Sequence, residues 1–176
     1  MINLKKVIRN VPDFPITGVQ YKDITSVLQN PKAFQYTVDV LTAYCRSRDI
    51  TDIVAPDARG FIWGAPVAYK MGLPLHLVRK AGKLPPPVNS YSYDLEYGSA
   101  VLELTSTTSF DHSNRVCIID DVSATGGTAL AITELLKQAG ASDMDYACII
   151  DLTFLEGSAK LRSAGINTHS LVEYND

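Results

Sequence analysis

Short apolar runs that end in a charged or small-residue turn, each followed by a helical stripe, recur along this chain, and that alternation restricts the fold more than any other feature. The runs at residues 53–55, 75–79, 115–120 and 146–153 are short and almost continuously apolar, the pattern of strands buried on both faces. Between them lie helix patterns. Asn30-Pro31 supplies an N-cap followed by proline at the first helical position, and Phe34, Val38, Leu41 and Cys45 then recur at steps of four, three and four. A second helix is predicted over residues 61–71, with Pro66 distorting it and Gly72 closing it. A third is predicted over residues 127–139, with Ile132, Leu135, Leu136 and Ala139 on one face and Gly140 as its stop. A short helix at residues 158–164 precedes a last strand at residues 168–172. The prediction is an α/β fold, a mostly parallel sheet flanked by helices on both faces, with ligands at the carboxyl ends of the strands.

One stretch departs from this pattern. Residues 80–92 hold Gly82 and the consecutive prolines Pro85, Pro86 and Pro87, and read as a long exposed loop. Residues 93–97 and 100–105 then form an expected antiparallel pair turned at Gly98-Ser99. At 176 residues, without repeats or low-complexity linkers, the chain fits a single domain. A net charge of -3 gives no electrostatic footprint for nucleic acid or membrane, so any anionic ligand must be held by a local site. Cys45, Cys117 and Cys148 sit among apolar neighbours and read as buried, reduced thiols. Lys5, Lys6 and Arg9 interrupt the apolar residues of the N-terminal stretch, unlike a signal peptide, and no run is long enough to span a bilayer. A cytoplasmic location is expected.

The segment that carries chemistry is Ile118-Ile119-Asp120-Asp121-Val122-Ser123-Ala124-Thr125-Gly126-Gly127-Thr128. A buried strand ends in two carboxylates, and a small-residue loop then opens a helix. Backbone N–H groups of residues 124–128 converge at a helix N-terminus, where the dipole favours an anion. Gly126 and Gly127 permit close approach, and the hydroxyls of Ser123, Thr125 and Thr128 add donors. Two carboxylates beside a phosphate repel it unless they face something else. The adjacent hydroxyls of a ribose satisfy that condition, with Mg²⁺ nearby, so the pattern points to a ribose phosphate. No Walker lysine follows the glycines and no GxGxxG is present, which weakens kinase and dinucleotide readings. A lone Gly-Gly pair would be read as a turn; strand, acid pair, glycine loop and amphipathic helix together are not.

That segment resembles the signature by which type I phosphoribosyltransferases bind 5-phosphoribosyl 1-pyrophosphate. Pro12-Asp13-Phe14-Pro15 running into Gly18-Val19-Gln20-Tyr21-Lys22-Asp23-Ile24-Thr25, then Ala58-Arg59-Gly60-Phe61, then Arg79-Lys80-Ala81-Gly82-Lys83-Leu84-Pro85 with Leu95-Glu96-Tyr97-Gly98, narrow the resemblance to the members that use adenine. It covers residues 12–172. It implies a purine-salvage reaction, adenine and 5-phosphoribosyl 1-pyrophosphate to AMP and pyrophosphate. A small N-terminal hood over residues 1–28 and a mobile hairpin lid over residues 80–97 are implied as well. The same reaction on hypoxanthine or guanine, or a non-catalytic sensor of the sugar donor, are the rival readings.

The resemblance also implies roles. Arg59 faces the pyrophosphate, and a cis peptide is expected between Asp57 and Ala58. Lys83 reaches the pyrophosphate as the lid closes, with Lys80 and Tyr97 in support; without the resemblance, two exposed lysines read as solvated charge. Glu96 receives the proton that adenine loses, although by spacing alone it would be a strand-edge glutamate. Val19, Gln20, Tyr21 and Lys22 form the base pocket through main-chain groups, with Tyr21 on one purine face and Val122 on the other. Mg²⁺ is implied, held by substrate oxygens and water and reached by Asp120 and Asp121 at most through water. No protein metal cluster is expected, since His76, His112 and His169 are scattered. A homodimer is implied. The chain departs from the family pattern at Thr17, Gln20, Lys22 and Ser123, where proline, an apolar residue, arginine and an apolar residue are usual.

Overall fold

The computed structural model describes residues 2–94 and 98–176. Seven strands form one sheet in the order β5-β6-β4-β3-β7-β8-β9. The parallel strands are β3 (Asp52–Pro56), β4 (Leu75–Lys80), β7 (Arg115–Ser123), β8 (Asp143–Leu152) and β9 (Asn167–Tyr174). The strands β5 (Val88–Asp94) and β6 (Ser99–Thr105) make an antiparallel hairpin on the β4 edge.

Burial on both faces follows from where the helices lie. Helices α3 (Pro31–Ser47) and α4 (Gly60–Met71) cover one face, where Leu41, Cys45, Trp63 and Val67 pack on Ile53, Cys117, Ile119 and Ala147. Helices α5 (Gly127–Gln138) and α6 (Gly157–Ser163) cover the other, where Ile132, Leu135, Leu136 and Leu161 pack on Val54, Val116, Ile118 and Cys148. Neighbouring residues such as Ile53 and Val54, Cys117 and Ile118, and Ala147 and Cys148 thus enter opposite cores, which is why these strands read as unbroken apolar runs. The helix signals act as predicted. Asn30 caps α3 by accepting the Ala33 N–H at 3.1 Å, and Gly72 ends α4 with a φ of 68°. Helix α4 lies so close to β3 that a Cβ on Gly64 would stand 2.7 Å from that of Ala55. Cys45, Cys117 and Cys148 are all fully buried, as expected.

Ahead of the sheet, α1 (Leu4–Val7), a two-stranded ribbon of β1 (Arg9–Pro12) and β2 (Gln20–Asp23), and α2 (Thr25–Leu28) share the α3 core through Leu4, Ile8, Ile24 and Val27. The ammonium groups of Lys5 and Lys22 lie 5.2 and 4.4 Å from the Tyr174 ring centre, joining this segment to the last strand.

The structure corrects the expected loop over residues 80–92. Regular structure resumes at Val88, immediately after the prolines, and Val88–Asp94 pairs along its length with Ser99–Thr105. Tyr91 and Tyr93 pack toward the α5 core while Ser90 and Ser92 alternate with them. The three prolines mask this alternation, because proline excludes a strand only at its own positions. An antiparallel hairpin is present as predicted, but its first strand begins five residues earlier, Ser99, expected in the turn, instead pairs with Asp94, and residues 95–97 of the expected strand lie outside the described residues.

Opposite the ligand end of the sheet, Asp145 accepts hydrogen bonds from Tyr44 Oη at 2.8 Å, Arg48 Nε at 2.8 Å and Asn167 Nδ2 at 3.0 Å. Burial pushes its carboxyl up, but the bonds from Arg48, Asn167 and Tyr44 outweigh burial and hold it below the usual carboxylate range. A depressed folded value contributes stability above the unfolded value of about 4, and that contribution is lost as pH falls through the folded value. Asp145→Asn is therefore expected to lower urea stability at pH 7, with the difference from wild type shrinking below about pH 4. Urea titrations at pH 7 and pH 3 check this, and a difference independent of pH contradicts it.

Candidate active site

The parallel strands stop at a common edge, and the predicted site residues emerge there. β7 runs past its acid pair to Ser123, residues 124–126 turn, and α5 begins at Gly127. Gly126 holds the helix N-cap at a φ of 83°, a conformation that glycine adopts without a Cβ penalty. Beside this turn, β3 ends at Pro56, the Asp57–Ala58 peptide is cis as expected, and Arg59 caps α4.

These pieces enclose a cleft of about 390 Å³ lined by Arg59, Lys80, Asp120, Asp121 and residues 122–128, with Asp57, Ala58, Ala129 and Tyr146 completing it. The acid pair and the amide-rich turn thus share one cavity, the arrangement that the ribose-phosphate reading requires. Arg59 forms an ion pair with Asp121, whose side chain is almost fully buried while the guanidinium is half exposed. Burial works against the Arg59 charge, and the adjacent Asp121 carboxylate more than offsets it. Asp120 lies in a different environment: burial and then the neighbouring Asp121 charge push its carboxyl well above the usual range. Asp121 is thus matched to a cation, while Asp120 stands to gain from a donor or cation entering the cleft.

A second hollow of about 490 Å³ adjoins the first and is predominantly apolar. It is lined by Val19, Gln20, Tyr21, Lys22 and Val122, as expected for a base pocket, and shares Arg59, Asp121, Val122 and Ala124 with the cleft. The side chains of Gln20 and Lys22 point elsewhere. Gln20 Oε1 accepts from Asn10 Nδ2 at 2.6 Å and Lys22 Nζ donates to Asn10 Oδ1 at 3.1 Å, so both fasten β2 to β1. Their departures from the family pattern therefore fall on side chains engaged outside the hollow.

Lys80 lines the cleft, whereas Lys83 lies outside its lining residues, and the Lys83 carbonyl accepts from Arg79 Nη1 at 3.1 Å. Glu96 and Tyr97 fall outside the described residues. Of the three hydroxyls assigned to the phosphate, that of Ser123 is 3.0 Å from Ser158 Oγ and that of Thr128 is 3.2 Å from Tyr93 Oη. Sequence reasoning missed Leu152, Phe154 and Leu155, which wall the second hollow. Thr153–Leu155 is a 3-10 turn, not the end of a strand. The available signal was an apolar Leu-Thr-Phe-Leu placed just past the carboxyl end of a parallel strand, where buried packing has stopped.

An anion-seeking turn, an acid pair and a cation at the ends of parallel strands, open to an apolar hollow, define a phosphoribosyl-transfer domain. The profile of the phosphoribosyl transferase domain matches residues 23–161. The chain is 46% identical to the adenine phosphoribosyltransferase of Roseiflexus castenholzii over 98% of this chain and 99% of the relative. It is 47% identical to that of Aeromonas salmonicida over 94% and 91%. Among solved structures, the adenine phosphoribosyltransferase of Thermoanaerobacter pseudethanolicus superposes with a TM-score of 0.89 at 42% identity, covering 97% of each chain. The Giardia lamblia enzyme in complex with 9-deazaadenine does so at 0.89 and 32% identity, covering 98% of this chain and 96% of the other. The chain belongs to the adenine phosphoribosyltransferase family.

Removing Arg59 leaves the Asp121 carboxylate buried without its cation. Arg59→Ala is expected to lower unfolding free energy by about 1–2 kcal/mol, a modest value because solvent reaches the guanidinium. Arg59→Ala/Asp121→Asn should recover part of that loss. A double variant no more stable than Arg59→Ala in urea titrations contradicts the pairing.

Proposed function

We propose that this protein transfers the phosphoribosyl group of 5-phosphoribosyl 1-pyrophosphate to adenine, forming AMP and releasing pyrophosphate in purine salvage. The observation that carries this reading is the joining of the two hollows through Arg59, Asp121, Val122 and Ala124. A ribose 5-phosphate seated with its phosphate on residues 124–128 and its hydroxyls toward Asp120 and Asp121 directs its anomeric carbon to that junction.

The reaction breaks the bond from the anomeric carbon to pyrophosphate and forms one to an imidazole nitrogen of adenine. Positive charge builds on the ribose while the leaving group gains negative charge, so cations belong beside the pyrophosphate and bulk water must be kept out. Arg59 and Lys80 supply those cations, and Lys83 adds a third as residues 80–97 close as a lid. The hollow takes the purine between Tyr21 and Val122, and β2 reads its edge through main-chain groups. Among the described residues this strand pairs only with β1, which leaves its second edge to offer donors and acceptors. Residues 1–28 thereby act as the hood over the base.

Glu96 receives the proton released from adenine, with Tyr97 steadying the closed lid. Mg²⁺ bound to the sugar donor would neutralise pyrophosphate charge, held by substrate oxygens and water, with Asp120 and Asp121 reaching it at most through water. Two copies of the chain form the working dimer, located in the cytoplasm; no described helix is long and apolar enough to cross a membrane.

A panel of adenine, hypoxanthine and guanine with the sugar donor and Mg²⁺, followed by pyrophosphate release, tests the assignment. Turnover confined to adenine is expected. Turnover of hypoxanthine or guanine instead reassigns the base, and donor binding without turnover of any base makes the protein a sensor. Glu96→Gln should reduce kcat by about 10²-fold or more while donor binding stays within about twofold. Equal losses in both quantities remove Glu96 from the chemical step.

A further inference from the structure

The turn over residues 124–126 is fastened from behind by the start of α6. The Gly157 N–H donates to the Ala124 carbonyl at 3.0 Å, and the Lys160 ammonium donates to the Thr125 carbonyl at 3.1 Å. Ser158 Oγ adds its contact with Ser123 Oγ, both side chains being buried. None of Gly157, Ser158 and Lys160 lines the cleft.

The two carbonyl bonds have a geometric consequence. In a trans peptide the C=O of one residue and the N–H of the next point in opposite directions. Holding the Ala124 and Thr125 carbonyls toward α6 therefore turns the N–H groups of Thr125 and Gly126 away from it, to the side where the cleft lies. Neither N–H has a backbone hydrogen-bond partner among the described residues. The approach also requires glycine on both sides. A Cβ on Gly126 would stand 2.9 Å from Gly157 Cα, and one on Gly157 would press into the Ala124 carbonyl oxygen and come 2.7 Å from Gly126 N.

We infer that Gly157 and Lys160 are positioning residues for phosphate recognition: from the far side of the turn, they fix the peptide planes whose N–H groups grip the 5-phosphate of the sugar donor. Lys160 acts on the loop through the Thr125 carbonyl, and its charge stands behind donors whose ligand is anionic, so both effects favour the bound phosphate. The sequence conceals this role, because a lysine on the second turn of a short exposed helix reads as solvated charge. The inference rests on the proposed function, since it names what that reading's phosphate loop depends on.

The test compares Lys160→Met, Lys160→Arg and Gly157→Ala with the wild type. Ribose 5-phosphate binding is measured by calorimetry, and the KM values for the sugar donor and for adenine, together with kcat, are measured by pyrophosphate release. Lys160→Met should weaken ribose 5-phosphate binding and raise the donor KM by roughly fivefold, the scale of one lost hydrogen bond, with adenine KM and kcat within about twofold. Lys160→Arg, which keeps a donor and a charge, should restore at least half of the affinity lost in Lys160→Met, on a logarithmic scale. Gly157→Ala should weaken ribose 5-phosphate binding by more than Lys160→Met does, since its Cβ displaces the turn itself. Should Gly157→Ala fail to fold, the two Lys160 variants decide the matter. Unchanged ribose 5-phosphate affinity in Lys160→Met overturns the inference, as does a loss shared equally by adenine and donor. A wild type that binds ribose 5-phosphate but turns over no base removes the proposed function and leaves the positioning role to be judged by calorimetry. A wild type that does not bind it removes both.

Discussion

The parallel ladder of β3, β7 and β8 sets the terms for the rest of the molecule. Its strands are buried on both faces, so between the buried aspartates near their amino ends, Asp52 and Asp145, and the opposite edge their side chains are mainly apolar. At the carboxyl edge polar groups return, and there Asp120, Asp121 and Arg59 emerge within reach of one another. The ladder is rigid because each strand is held on two sides by hydrogen bonds and on two faces by side-chain packing. A catalytic geometry hung from strand ends inherits that rigidity, while the turns beyond them remain open to specialisation.

Beyond the ladder, the site is assembled from segments far apart in sequence. The apolar hollow needs β2 from the start of the chain, Val122 from its centre and the 3-10 turn at Thr153–Leu155. The cleft needs the ends of β3, β4 and β7. Arg59 belongs to both, and its pairing with buried Asp121 places a fixed positive charge where the hollows meet. In the proposed reaction, a cation held in place by a buried carboxylate would need little reorganisation as the leaving group becomes more negative.

Much of this was legible in the sequence because the relevant signals are local. The alternation of apolar strands and amphipathic helices specifies a parallel sheet, and the Asp120-to-Thr128 segment carries its acids, glycines and helix start in consecutive positions. What remained hidden depends on tertiary neighbours. Val88 to Ser92 continue the hairpin although three prolines precede them, since their pairing partner lies in β6. Phe154 and Leu155 become a pocket wall only because β8 ends next to β7. Gln20 and Lys22 stand out in a linear reading as departures from the family pattern, and only the folded ribbon shows Asn10 bonded to both side chains. The contact of the Ser123 hydroxyl with that of Ser158 likewise joins residues 35 positions apart. Periodicity and motif spacing contain no term for such partners.

The three thiols give the protein an internal gauge of its own opening. Cys45 lies in α3, Cys117 in β7 and Cys148 in β8, each without solvent access. An alkylating reagent can reach them only when the surrounding layer parts, so the labelling rate under native conditions counts those excursions. Because Cys45 and Cys117 share the core beneath α3 while Cys148 lies in the core beneath α5 and α6, faster labelling of the first two marks α3 lifting from the sheet, and equal rates for all three mark the whole body coming apart.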